Sequence, residues 1–322
     1  MNFHQLFIFL IIGYYIVIIY YIRKVNEMEY NITEDNNKVI IEGIRDFDPV
    51  HIFECGQCFR WNREEDGSFT GVAFERVLNV KVENDKVILS NTNIEEFNNI
   101  WYDYFDLGRD YGKMKEIFSQ DEILKEAVKF GSGIRILNQE PFEILISFII
   151  SANNAIPRIK SSIERLSKRY GKHIGEYNGK EYYAFPTAEA LSKVDIEELK
   201  ETKIGFRAKY VSNAAKKVYN EGVNLDYIKT LDTTHAREEL MKFQGVGPKV
   251  SDCILLFSME KYEAFPIDVW VKRIMEYFYL KEDTSMNKIQ KYGEEKFKDL
   301  AGFAQQYLFY YARELGIGKK KK

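Results

Sequence analysis

The sequence predicts an α+β protein, with a small N-terminal antiparallel β-sheet lobe followed by a mainly α-helical lobe. Three observations carry this. Short β-like runs with alternating or apolar character fill about residues 38–90, helical periodicity takes over from about 93, and residues 236–272 read as two helical runs joined by a glycine turn. The chain of 322 residues is long enough for two lobes with a sizeable core.

The β-like runs are KVIIEGI, HIFECGQCFRW, SFTGVAFERVLNVKV and KVILS, separated by polar turns such as Glu64-Glu65-Asp66-Gly67. Helices are expected at 94–105 and 121–130. Pro141 then opens an apolar run that ends at Ser151-Ala152-Asn153-Asn154. Further helices are expected at about 157–170, 187–200, 207–221, 236–243, 249–259, 268–279, 286–298 and 301–315. The domain reading is residues 1–27 as a hydrophobic extension, 28–120 as the sheet lobe, 121–318 as the helical lobe and 319–322 as a basic tail.

Composition is that of an ordinary globular protein, and the net charge of −3 excludes a wholly basic nucleic-acid coat. The distribution is uneven. Residues 28–120 carry 10 basic against 19 acidic side chains, whereas 151–220 carry 14 against 8, so a positive face for phosphate would come from the middle segment. Three cysteines make no disulfide scaffold, and the single Cys55-x-x-Cys58 has no second pair to complete a zinc or iron–sulfur site.

Residues 3–22 are apolar enough to span a bilayer and are followed by Arg23 and Lys24. A membrane anchor is one reading. The favoured one is a start at Met28, where MEYNITEDNN opens a polar leader, which places the protein in the cytoplasm beside the nucleoid.

The segment 236–272 carries the chemistry. Gly245-Val246-Gly247-Pro248 makes a turn whose open amides at a helix start suit an anion, a DNA phosphate above all. Lys249 starts the second helix, with Cys253 one turn on along the same face, and Asp268 follows a Phe-Pro-Ile segment. Such a Lys is a candidate amine nucleophile, provided that burial and the helix dipole favour its neutral form. Asp268 also reads as a helix N-cap.

Five ordered blocks resemble one family. They are residues 236–272, CGQCFRW at 55–61, PFEILISFIISANNAIPRI at 141–159, IGFRAKYV at 204–211 and AGFAQQYLF at 301–309. Together they are similar to the 8-oxoguanine DNA glycosylase/lyase family of the helix-hairpin-helix base-excision superfamily, and they span most of residues 40–316. The resemblance implies a bifunctional enzyme that flips out and excises 8-oxoguanine opposite cytosine through a Lys249 imine, with Asp268 stabilising the charge that develops on the sugar. It implies that the Gly56 carbonyl reads the N7 proton of the lesion, that Gln305 meets the Watson–Crick edge, and that Cys253 and Phe309 sandwich the base. Asn153 would fill the vacated space, Arg158 and Arg207 would donate to the orphan cytosine, and Phe206 would wedge beside it. Gly245 and Gly247 would approach the backbone. No cofactor is implied, although a monovalent cation at the hairpin is compatible. The partner is double-stranded DNA, bound by a monomer.

Three positions depart from the family pattern: Ala155 replaces an Asn, Phe206 stands where Tyr is common, and Trp270 where a His commonly follows the Asp. Two rivals stand beside this reading. A catalytically silent helix-hairpin-helix module would need the glycines but not Lys249, Asp268, Gln305 and Gly56 together. A glycosylase for another damaged purine would commonly lack the hairpin Lys.

Overall fold

A computed structural model describes residues 30–317. The apolar stretch 3–22 and the basic tail 319–322 lie outside the described residues. None of the described helices is long and apolar enough to cross a membrane.

The N-terminal lobe is one six-stranded antiparallel sheet. Its strands are β1 (Asn31–Glu34), β2 (Lys38–Glu42), β3 (Trp61–Arg63), β4 (Phe69–Ala73), β5 (Arg76–Glu83) and β6 (Lys86–Ser90), in the spatial order β1-β2-β6-β5-β4-β3. Strand alternation puts Val39 and Ile41 of β2, Leu78 and Val80 of β5, and Val87 and Leu89 of β6 on the buried face. Trp101, Tyr104 and Phe105 cover that face from a helical segment running through Ile94–Glu96, Phe97–Trp101 and Tyr102–Tyr104.

One expectation fails here. The run HIFECGQCFRW is not a strand, because Asp48 accepts hydrogen bonds from the amides of Val50 and His51 and caps a short helix, Pro49–Phe53. An Asp before a Pro is a helix start, and it overrides the β-like composition that follows. Only the last residue of that run, Trp61, joins the sheet, at the start of β3. The intervening loop belongs to both lobes: Cys55 and Phe59 pack in the helical core, Cys58 and Trp61 in the sheet core.

The helical lobe gathers around the almost wholly buried helices Pro141–Ser151 and Pro248–Ser258. Helices at Ile156–Tyr170, Ala208–Tyr219, Thr233–Met241, Met286–Phe297 and Ala301–Leu315 follow the expected periodicity. The expected helix at 187–200 is broken into Ala188–Ser192 and Ile196–Leu199, because each piece has its own N-terminal start at Thr187 and Asp195. Helices Tyr111–Phe118 and Leu225–Thr230 are additional. So is a hairpin of β7 (His173–Tyr177) and β8 (Lys180–Tyr183). Its turn, Asn178-Gly179, has both residues at positive φ, the Asn-Gly signal of a two-residue hairpin.

Candidate active site

The recess of interest lies where the Cys55–Phe59 loop, the glycine hairpin and the Ala301–Leu315 helix meet. It is lined by Cys55, Gly56, Phe148, Lys249, Cys253, Phe257, Pro266, Asp268, Gln305, Gln306 and Phe309. Six of the residues singled out in the sequence therefore converge, from segments as far apart as Gly56 and Phe309.

Lys249 sits in the first turn of Pro248–Ser258, whose N-cap, Gly247, offers no side chain, so the opening amides remain available to an anion. The ammonium group lies 5.1 Å from the centre of the Phe148 ring, which stacks in turn on Phe257 at 5.6 Å and 18°. Among the described residues Lys249 makes no ion pair. Cys253 is buried one turn on. Burial pushes its thiol up to about 11, with the Lys249 ammonium pulling the other way.

Asp268 caps Val269–Met275. Its Oδ1 accepts from the amides of Trp270 and Val271, both at 2.8 Å, while Oδ2 has no hydrogen bond from the described residues. The cap thus occupies one carboxylate oxygen and leaves the other open, so the cap reading does not compete with the catalytic one. Trp270, in place of the family's common His, lies 5.4 Å from the Arg273 guanidinium.

Gln305 and Phe309 share a face of the Ala301–Leu315 helix. Gln305 is 5 % exposed, and its Oε1 is buried without a hydrogen-bond partner. Leaving such an oxygen unpaired costs about 1–3 kcal/mol, which is tolerable at a site where a ligand supplies the donor. Gly56 has φ +88°, a conformation that favours glycine, and its Cα faces the Phe309 ring.

The two hairpin glycines differ. Gly245 has φ +86°, and a Cβ there would come within 2.9 Å of the Tyr210 ring. Gly247 has an ordinary extended backbone, and a Cβ there would meet nothing within 4 Å. The fold therefore requires the first glycine and not the second.

A second group lies on the loop after Pro141–Ser151. Asn153 is exposed and left-handed at φ +50°. Arg158 and Ala155 are exposed beside it, and Phe206 is 58 % exposed. Arg207 departs from expectation. It is 8 % exposed, and its guanidinium donates to the carbonyls of Ala152 (Nε 2.9 Å, Nη2 2.5 Å), Asn153 (Nη2 2.9 Å) and Ile204 (Nη1 3.3 Å). One Nη1 hydrogen is left over for an orphan base. Burial, and then the nearby Arg158 guanidinium, lower its pKa from the ordinary arginine value.

Cys55 and Cys58 are buried free thiols, both pushed up by burial, Cys55 to about 11. They are packing residues rather than reactive ones. Among the described residues no cluster of three or more His, Cys, Asp or Glu could hold a metal ion.

Comparison with known proteins shows the family. Residues 39–145 match the 8-oxoguanine DNA glycosylase N-terminal domain, and residues 146–299 the HhH-GPD superfamily of base-excision DNA repair proteins. A probable N-glycosylase/DNA lyase of Methanothermobacter thermautotrophicus is 31% identical over 220 residues, covering 62% of this chain and 70% of that protein. The chain belongs to the 8-oxoguanine DNA glycosylase/lyase family. An Arabidopsis thaliana member, N-glycosylase/DNA lyase OGG1, is 28% identical over 274 residues, 80% of this chain and 75% of that one. The Clostridium acetobutylicum 8-oxoguanine glycosylase/lyase, solved with DNA containing cytosine opposite 8-oxoG, is 52% identical with a TM-score of 0.88, covering 90% of this chain and 100% of that one.

Motif reading missed several residues of this family site. Phe148, Phe257 and Gln306 line the recess without having been singled out in the sequence. Their signal was weak because each is defined by what it faces across the recess.

Proposed function

We propose that this protein is a bifunctional DNA glycosylase and lyase of base excision repair, which flips 8-oxoguanine out of duplex DNA opposite cytosine and excises it. The observation that carries the reading is the unpartnered, buried Gln305 Oε1 in the same recess as Lys249 and Asp268. A purine's Watson–Crick edge presents the N–H donors this oxygen lacks, and the nucleophile stands within that recess.

The chemistry follows from the groups present. The Lys249 Nζ lone pair attacks C1′ of the sugar, the C1′–N9 bond breaks, and its electron pair leaves with the base, which takes up a proton. The Asp268 carboxylate, its Oδ2 open, stabilises positive charge on the sugar as that bond loosens. Nζ then loses a proton, the C1′–O4′ bond breaks with O4′ taking up a proton, and the open sugar is left as an imine on Lys249. Loss of a C2′ proton next expels the 3′ phosphate oxygen and cleaves the strand. Each step uses side chains alone, so the reading calls for no cofactor. Arg158, Asn153 and Phe206 are proposed to face the orphan cytosine, and the Gly247 and Lys249 amides, on either side of Pro248, a backbone phosphate. The reading places a monomer in the cytoplasm, beside the nucleoid.

Borohydride trapping on duplexes with 8-oxoguanine opposite cytosine tests it. The unmodified chain is expected to give a trapped adduct, and Lys249→Gln to bind the lesion duplex with neither base release nor adduct. Trapping of Lys249→Gln at the unmodified level would defeat the assignment.

A further inference from the structure

The turn that carries Gly56 is held in an unusual way. Three of its four carbonyls accept a hydrogen bond from a long side chain brought from elsewhere. Arg313 Nη2 donates to the Glu54 carbonyl at 2.5 Å, Gln306 Nε2 to that of Cys55 at 2.9 Å, and Gln139 Nε2 to that of Gln57 at 2.9 Å. The Gly56 carbonyl alone takes no hydrogen bond from the described residues. Backbone carbonyls away from water are almost always paired, so one open carbonyl between paired neighbours, beside a recess, is a prepared acceptor.

Two of the three donors come from the helix that also supplies Gln305 and Phe309. Gln306 and Arg313 are seven residues apart, two turns on one face. Arg313 acts twice. Its guanidinium lies 5.5 Å from the Phe309 ring centre, and its Nη1 stands 3.6 Å from where a Gly56 Cβ would be. It therefore backs both the ring and the glycine of the recess, while Glu314 holds its Nε and Nη2 at 2.9 and 2.7 Å.

We propose that Gln306 and Arg313, with Gln139, are positioning residues for lesion discrimination, which hold the turn so that the Gly56 carbonyl alone faces the extruded base. This rests on the reading of the recess as an 8-oxoguanine pocket. Guanine and 8-oxoguanine differ at N7, an acceptor in the first and an N–H donor in the second. A fixed carbonyl attracts one and repels the other. A carbonyl free to swing aside accommodates both, so discrimination depends on how firmly the turn is held rather than on Gly56 alone.

The test uses the full chain with Gln306→Leu, Arg313→Met and Arg313→Lys. Three quantities are read: single-turnover release of 8-oxoguanine opposite cytosine, the ratio of affinities for lesion and undamaged duplexes, and strand cleavage at a preformed abasic site. Gln306→Leu and Arg313→Met are each expected to lower base release and the affinity ratio by about three- to tenfold, the loss of one net hydrogen bond. Abasic-site cleavage, which needs Lys249 but no base recognition, is expected to stay within about twofold. Arg313→Lys, which keeps a donor for the Glu54 carbonyl, should recover part of the ratio. An unchanged ratio overturns the proposal, and so does a parallel fall in all three readouts, the mark of a merely structural role. If the unmodified chain cleaves abasic sites but releases no 8-oxoguanine, the reading of the pocket fails instead.

Discussion

The Arg207 guanidinium donates to the Asn153 carbonyl at 2.9 Å and holds that residue in its left-handed turn. The interaction divides two arginines that look equivalent in the sequence. Arg207 is committed to the backbone, whereas Arg158 is exposed at the start of Ile156–Tyr170.

Arg207→Met should therefore lower stability by about 2–3 kcal/mol, because several carbonyls lose their donor together. Arg158→Met should leave stability within about 0.5 kcal/mol and flatten the preference for cytosine opposite the lesion. Thermal unfolding and single-turnover excision against all four partner bases separate the two. Equal destabilisation by both substitutions would contradict the assignment.

The hairpin glycines should also separate. Gly245→Ala is expected to destabilise the fold by about 1–2 kcal/mol, given its positive φ and the adjacent Tyr210 ring. Gly247→Ala should leave the melting temperature nearly unchanged and weaken DNA binding, if a phosphate approaches there. Undiminished binding by Gly247→Ala would remove the hairpin phosphate contact from the mechanism.

For Asp268, the amide replacement divides cap from chemistry. Asn caps helices about as well as Asp, so Asp268→Asn should remain folded yet lose most base release, while Asp268→Ala should lose about 1 kcal/mol of stability as well. Full activity in Asp268→Asn would show that the second carboxylate oxygen has no catalytic part.

The interface between the lobes should carry a pH dependence. Burial raises the Glu143 carboxyl from its ordinary 4.5 to about 7, against the pull of Arg60 at 3.8 Å and with the push of Glu140. A carboxyl raised in the folded state keeps its proton there while the unfolded chain gives it up. Its contribution is thus complete below about pH 4.5 and lost as pH rises towards 7, by at most about 1.4 kcal/mol per pH unit. Melting temperatures across that window should fall more steeply for the unmodified chain than for Glu143→Gln. Parallel profiles would place the titration elsewhere.

Much of this protein could be read from its residues in order. The Gly-Val-Gly-Pro-Lys turn, the Asp cap before Val269 and the Gln305–Phe309 spacing are local. Each depends on backbone within about one helical turn, which the sequence states directly. Even some local signals were outweighed: Asp48-Pro49 was hidden by the β-like run after it, and Asn178-Gly179 by flanking helices. By itself, then, the sequence determined the two-lobe class, the family blocks and the candidate nucleophile. Tertiary structure alone decided what each long polar side chain is bonded to. Arg207 meets carbonyls 54 and 55 positions away, and Gln306 and Arg313 reach back 251 and 259 positions to the turn beside Gly56. An arginine or glutamine carries the same donors wherever it stands, and only the carbonyls that folding brings within 3 Å settle whether those donors serve the fold or the DNA.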